Sequence, residues 1–204
     1  MFKVGVTGGI GSGKSVVCNV FRNLDIPVYE ADTEARRIIA EDPEIRKGLV
    51  KRFGDRTFGD SGLDRKYLAE RIFSDSKARS FVNGLVHPKV REDFSEWILG
   101  QAGPYVVEEA ALLIESGAWK AMDFTILVLA REEIRIERIM KRDGISRGDV
   151  LARLASQIDP AEAANLADLM IYNDDNEFVI PQVLAADRLI RAHFSGAMGE
   201  TDRR

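Results

Sequence analysis

The sequence predicts an α/β fold: a doubly wound five-stranded parallel sheet with a helical insertion and a short lid. Three observations predict it. Short β-prone runs alternate with segments of helical periodicity. Two of those runs are dense in apolar residues, as strands covered on both faces must be. The first run leads directly into the glycine-rich stretch VTGGIGSGKS, Val6 to Ser15, at the point where a helix opens.

Phe2 to Thr7 alternates in polarity and reads as the first strand, and Ser15 to Leu24 sets Val17, Val20, Phe21 and Leu24 on one helical face. Pro27 to Glu30 gives a second short strand, Tyr105 to Glu108 a third, Phe124 to Leu129 a fourth and Leu169 to Tyr172 a fifth. Residues 33–103, between the second and third strands, read as helix. Ile45, Leu49, Val50 and Phe53 share a face that stops at Gly54, and Asp60 to Gly62 makes a turn. Asp64 is a candidate cap for RKYLAERIF, and Pro88 a candidate first helical residue of PKVREDFSEWIL. Lys141 to Gln157, beyond the helix after the fourth strand, is irregular. The tail SGAMGETDRR, residues 195–204, lacks periodicity and is expected to be disordered.

Composition narrows the function. With 204 residues, 45% of them hydrophobic, the chain has material for a substantial core. A net charge of -4 offers no general attraction to nucleic acid or to an anionic membrane, so any basic site must be local. No apolar run reaches the roughly 18 residues of a membrane span, and the N-terminus lacks signal-peptide architecture, so the expected location is the cytoplasm. The single cysteine, Cys18, has no intrachain partner and reads as a small buried residue.

Gly8-x4-Gly13-Lys14-Ser15 has the spacing of a phosphate-binding loop and stands in the required context, after a strand and opening a helix. A chance match in a chain of this length is on the order of one per cent. Gly9, Gly11, Ser12 and Gly13 supply backbone N–H groups that can turn inward on phosphate oxygens, and the helix start at Lys14 to Val16 adds its partial positive charge. Lys14 is suited to the β- and γ-phosphates of ATP and Ser15 to Mg²⁺. No guanine-reading NKxD segment stands after a strand, which disfavours a GTPase. The second strand ends in YEAD, at the acceptor position of small-molecule kinases of this architecture. A row of cations, Arg131, Arg135, Arg138, Lys141, Arg142, Arg147 and Arg153, comes after the fourth strand and is a candidate lid over a triphosphate. The same row also suits a solvated helix face paired with Glu132, Glu133 and Glu137.

The ordered series TGGIGSGKS, EAD with AR, VHP, LLIESG, KRDGIS, ASQ and AD with IYN resembles the dephospho-coenzyme A kinase family over nearly the whole chain. The resemblance implies a P-loop kinase fold, ATP and dephospho-CoA as substrates, Mg²⁺ as cofactor, no nucleic-acid or membrane partner, and a monomer or small homo-oligomer. It implies a nucleotide-binding core at 1–32, 104–140 and 158–194, a helical acceptor domain at 33–103 and a lid at 141–157. Carried over residue by residue, it makes Asp32 the carboxylate that takes the acceptor proton, with Lys14, Arg142 and Arg138 on the moving phosphoryl. Asp32 is also a candidate cap for a helix beginning at Thr33. The resemblance places Arg36, His87, Leu112 and Leu113 at the acceptor, Glu109 near Mg²⁺ through a water, and Asn173 near the ATP base. The family often carries an aspartate where this chain has Glu30, a proline where it has Ala111, and an aspartate where it has Tyr172. Two other readings fit the phosphate loop alone: a different small-molecule or nucleoside monophosphate kinase, and an ATP-binding regulatory module.

Overall fold

The computed structural model describes residues 1–59, 62–73 and 75–201, with side chains described except at Phe73 and 194–201. It divides into two compact units, Met1–Tyr29 with the chain from Gln101 onward, and Glu30–Gly100.

In the first unit β1 (Phe2–Thr7) runs through a loop into α1 (Lys14–Asn23), and β2 (Val28–Glu30) ends where the second unit begins. In the second unit α2 (Ala31–Glu41) is succeeded by α3 (Pro43–Phe53). Asp42 caps α3, its carboxylate accepting from the N–H groups of Glu44 and Ile45 at 2.8 and 3.0 Å, with Pro43 as the first helical residue. Gly54, at φ 88°, ends it. A minimal antiparallel ribbon, β3 (Phe58–Gly59) and β4 (Gly62–Leu63), comes next. Asp60 and Ser61 of the expected turn lie outside the described residues. Asp64 does cap α4 (Arg65–Phe73), accepting from Tyr67 N–H at 2.9 Å.

The spine of this unit is α5 (Ser76–Leu99), against which α2, α3 and α4 pack. Its buried residues, Ala78, Val82, Val86, Val90 and Phe94, recur every fourth position and form one stripe. Here the structure corrects the sequence reading: Pro88 does not open a helix but sits inside one. Proline removes one helical hydrogen bond and crowds the carbonyl four residues back. The apolar stripe continues from Val86 to Val90 across it, and its burial outweighs the local cost.

The first unit resumes with β5 (Tyr105–Glu109), β6 (Phe124–Leu129), α6 (Glu132–Asp143), α7 (Arg147–Leu154), α8 (Pro160–Ala164), β7 (Leu169–Tyr172) and α9 (Val179–Thr201). The strand order is β2-β5-β1-β6-β7, and β1 pairs in parallel with β5 and β6 in registers such as Val4 with Val107 and Val4 with Phe124. Alternate strand residues face opposite sides. Val4, Val6, Val107, Ile126, Val128 and Ile171 meet Val17, Cys18 and Phe21 of α1 and Val183, Ala186 and Ile190 of α9. Leu127 faces the other way, packing with Ile114 and with Ala163 of α8. The sheet is therefore a doubly wound five-stranded parallel sheet of the P-loop kinase type, and strand order reverses about β1. Ligands of such sheets bind at the carboxyl end beside that reversal, which here is the end of β1 at Thr7.

Two further expectations are corrected. The segment 141–157 is not irregular: α6 closes on Gly144, and α7 opens with a capping box in which Ser146 Oγ accepts from Asp149 N–H and Asp149 accepts from Ser146 N–H. Val150 of α7 is fully buried with Ile136 and Ile139 of α6, which fixes the short helix. The tail, expected to be disordered, continues α9 as far as Thr201. Residues 202–204 lie outside the described residues.

Because Pro88 interrupts the α5 ladder, Pro88→Ala is expected to raise stability by about 1 to 3 kcal/mol. Urea titration of both proteins checks this; an unchanged midpoint would mean that the helix already accommodates the ring without cost.

Candidate active site

Three carbonyls of the glycine-rich loop between Thr7 and Lys14 are taken by side chains from three different parts of the chain. Lys14 Nζ donates to the Gly8 carbonyl at 2.9 Å. Arg135 Nε, from α6, donates to the Ile10 carbonyl at 3.0 Å. Asn173 Nδ2, just beyond β7, donates to the Ser12 carbonyl at 2.8 Å. Within the loop, Ser12 N–H returns to the Gly9 carbonyl at 3.1 Å. The carbonyls at alternate positions, Gly8, Ile10 and Ser12, are thus each held by a side-chain donor.

Glycine leaves the room for two close approaches at the loop. Gly13, at φ 88°, lies so close to Asn173 Nδ2 that a Cβ there would overlap the amide. A Cβ on Gly9 would overlap the Arg135 guanidinium. Arg135 Nη2 also donates to Gln157 Oε1 at 2.8 Å, and the same oxygen accepts from Ile10 N–H at 3.0 Å. The loop is thereby tied to α6 and to the segment beyond α7. Sequence reasoning groups Arg135 with the row of cations and Gln157 with the ASQ triplet, and it distinguishes neither individually.

Arg138 lies one turn further along α6. Its Nη2 is 3.5 Å from Asp175, while its buried Nη1, close to Gly13, has no hydrogen-bond partner among the described residues. Ser12 Oγ is likewise buried and unpartnered. Orphaned buried polar atoms are uncommon enough that each calls for a partner, and both stand at the loop. Arg142 is exposed and chelates its neighbour Asp143 through Nε and Nη2 at 2.7 and 3.1 Å, a carboxylate shared with Arg153. Arg147 pairs with Glu133 at 2.7 and 2.8 Å, and Arg131 with Asp174. Much of the cationic row is thus paired, though with Asp143, Asp174 and Asp175 as well as with Glu133.

Ser15 and Val16 are exposed in the first turn of α1. Cys18, one turn on, is fully buried and hydrogen-bonds Glu109 at the end of β5. Burial first, and that carboxylate second, push its thiol far above the ordinary value. Glu109 and Ser15 are oxygen donors of the kind Mg²⁺ accepts. Leu113, expected at the acceptor, is instead completely buried, lying against Gly5 of β1, whereas Leu112 is exposed. A cavity of about 410 Å³ opens beside the loop, lined by Gly8, Gly9 and Gln157 and by the apolar side chains of Ile114, Leu129 and Leu154.

In the second unit, Asp32 and Arg36 are exposed on α2. The reading of Asp32 as a cap is corrected, because α2 already begins at Ala31 and Glu30 holds the cap position. Asp32 lies within the first turn, where a carboxylate is favoured by the helix dipole. Thr33 Oγ1 donates to Glu30 Oε2 at 3.1 Å. His87 is half-buried on α5, and burial, reinforced by the positive charge of Arg91, holds its imidazole below the ordinary value.

Known proteins resemble this chain in sequence and in fold. The family model described as Dephospho-CoA kinase matches residues 2–178. A Dephospho-CoA kinase of Bacteroides fragilis is 39% identical over 183 residues, 89% of each chain. A crystal structure from Thermus thermophilus superposes with a TM-score of 0.80 at 32% identity, covering 94% of this chain and 97% of that one. Dephospho-CoA kinase from Campylobacter jejuni superposes with a TM-score of 0.67 at 28% identity, covering 94% and 98%.

Two outcomes are expected of these arrangements. Asn173→Ala leaves the buried Ser12 carbonyl without its donor and should cost about 1 to 3 kcal/mol, read by denaturant titration. For His87, the unfolded chain takes up a proton near pH 6.5 that the folded chain resists, so stability should rise with pH through the window just below 6.5. His87→Gln should flatten that part of the pH–stability curve; an unaltered curve would show that His87 titrates normally.

Proposed function

The chain belongs to the dephospho-CoA kinase family, and on that premise we propose how its residues divide the work of moving the γ-phosphoryl group of ATP to the ribose 3′-hydroxyl of dephospho-CoA. This is the last step of coenzyme A synthesis. In it, the bond between the ribose oxygen and the γ-phosphorus forms, the bond to the β-phosphate oxygen breaks, and ADP leaves.

The phosphate loop is the donor site. The N–H groups of Gly9, Gly11 and Gly13, with that of Ser12 once it leaves the Gly9 carbonyl, would cradle the polyphosphate, and the start of α1 from Lys14 through Val16 adds positive potential. Lys14 exchanges its bond to the Gly8 carbonyl for the β- and γ-phosphate oxygens. Arg138 turns its unpartnered Nη1 to the same group, and Arg142 releases Asp143 to stabilise charge as the phosphoryl moves. The unpartnered guanidinium nitrogen beside Gly13 is the observation that carries this reading. Magnesium, when bound, neutralises charge on the phosphate oxygens; Ser15 would hold it, with Glu109 acting through a water.

On the acceptor side, Asp32 accepts the proton of the 3′-hydroxyl. This assignment rests on the family pattern EAD with AR and on the exposure of its carboxylate. The cavity beside the loop, with its apolar wall, suits an adenine, the ring that both substrates carry. Asn173, whose amide is committed to Ser12, acts on the donor by shaping the loop. Arg36 and His87 belong to the helical unit, which we read as the acceptor domain, and α7 with its flanks as the lid.

Lys14→Ala is expected to lower kcat by about 10² to 10³ while leaving the fold intact, because its charge serves the transition state more than the ground state. Asp32→Asn should lower kcat by about 10² to 10⁴ with ATP affinity nearly unchanged. Steady-state kinetics with dephospho-CoA, with ATP binding measured by calorimetry, separates the two. A fully active Asp32→Asn would leave Asp32 as a first-turn acid of α2 and nothing more.

A further inference from the structure

Arg135 is the least solvent-exposed arginine with a described side chain, 9% exposed, and its guanidinium lies against the backbone of Gly9. Every hydrogen bond it makes goes to a neutral group: the Ile10 carbonyl and the Gln157 amide oxygen. Among the described residues no carboxylate pairs with it, although five other arginines of this segment, Arg131, Arg138, Arg142, Arg147 and Arg153, each have one. Burial accordingly pulls its affinity for the proton down, with only the more distant Glu132 opposing. A desolvated cation without a counter-ion is costly to keep. The absence of a Cβ at Gly9 leaves the room that the guanidinium occupies.

We propose that Arg135 is a positioning residue that binds the donor polyphosphate by its field, through the thickness of the loop, and that Gln157 holds it with a neutral acceptor so that the charge stays unspent. A glutamate at 157 could accept the same two bonds, from Arg135 Nη2 and Ile10 N–H, but would neutralise the cation. The amide keeps the geometry and leaves the nucleotide as the counter-ion. The same oxygen ties the loop to the segment behind α7, so the charge and the placement of the loop are set together. This inference rests on the reading of the loop as the ATP site and adds to it a charge bonded to the loop backbone, on the wall of the cavity beside it.

The test is ATP affinity in the presence of Mg²⁺, measured by calorimetry at low and high salt on the full chain. Arg135→Met should weaken ATP by about tenfold at low salt, a moderate figure for one unit charge a loop's thickness from a phosphate, and less at high salt. Arg135→Lys, which keeps the charge and loses the fork of bonds, should stay closer to the wild type than Arg135→Met. Gln157→Glu should weaken ATP by about as much as Arg135→Met although both accepted bonds persist. Gln157→Leu, which drops the bonds and keeps the cation, should lower kcat more than ATP affinity. The proposal is overturned if Gln157→Glu binds ATP as the wild type does, or if Arg135→Lys is as weak as Arg135→Met. Should Arg135→Met not fold, the Gln157→Glu result decides alone. Failure of the wild type to bind ATP would remove the donor-site reading itself, whereas wild-type binding with insensitive Arg135 and Gln157 variants would remove only this inference.

Discussion

A backbone loop that turns its N–H groups toward an anion must turn carbonyls away from it, and those carbonyls need donors. That constraint organises the first unit. The carbonyls of Gly8, Ile10 and Ser12 are taken by Lys14, Arg135 and Asn173, which come from α1, from α6 and from the chain just beyond β7. The parallel sheet brings those three donors to one place because β6 and β7 lie in order on one side of β1, so that the chain leaving each strand emerges at the same carboxyl edge. The loop is therefore less an independent motif than a surface shared by three elements, and its glycines are required as much by these neighbours as by the turn itself.

Electrostatics obey the same arrangement. Most cations of the 131–153 segment are neutralised by acids in α6, at its end, or in the turn after β7. Exposed pairs of this kind contribute little stability each, but they decide where net positive charge remains. Apart from the exposed Lys141, the remainder lies on Arg135 and on the unbonded nitrogen of Arg138, both at the loop. A chain with an acidic balance overall thus concentrates positive potential at its phosphate loop, and selectivity for a polyanion is built locally rather than by net charge.

The strands of the parallel sheet were legible in the sequence nearly to the residue, because two-sided burial writes dense apolar runs at Tyr105 to Glu108 and Phe124 to Leu129. So were the end of α3 at Gly54 and the start of α4 at Asp64, which carry specific backbone chemistry. Pro88 misled, since a local breaker was overruled by a stripe of burial that spans it. The helix α7 was missed although Ser146 and Asp149 form a legible capping box; its few apolar residues gave no periodicity to notice. At the site, the motif located Gly8 to Ser15 but could not show which side chains receive the loop's carbonyls. Arg135 looks like any surface arginine until α6 is laid beside Ile10, and Leu113 looks available to a ligand until β1 is laid beneath it. Motif spacing encodes what a loop holds; the partners that hold the loop are set by tertiary neighbours.

Cys18 gains a different meaning once the product is considered. Coenzyme A ends in a thiol, and a protein that handles it meets small thiols and their disulfides at every turnover. Exchange with them requires a thiolate that can reach the attacking position. The protein's one cysteine is enclosed on the buried face of α1, where burial and Glu109 raise its hold on the proton. Although it lies one turn from the phosphate loop, it is withheld from mixed-disulfide chemistry, so the redox state of the metabolite pool has no covalent handle on the folded enzyme.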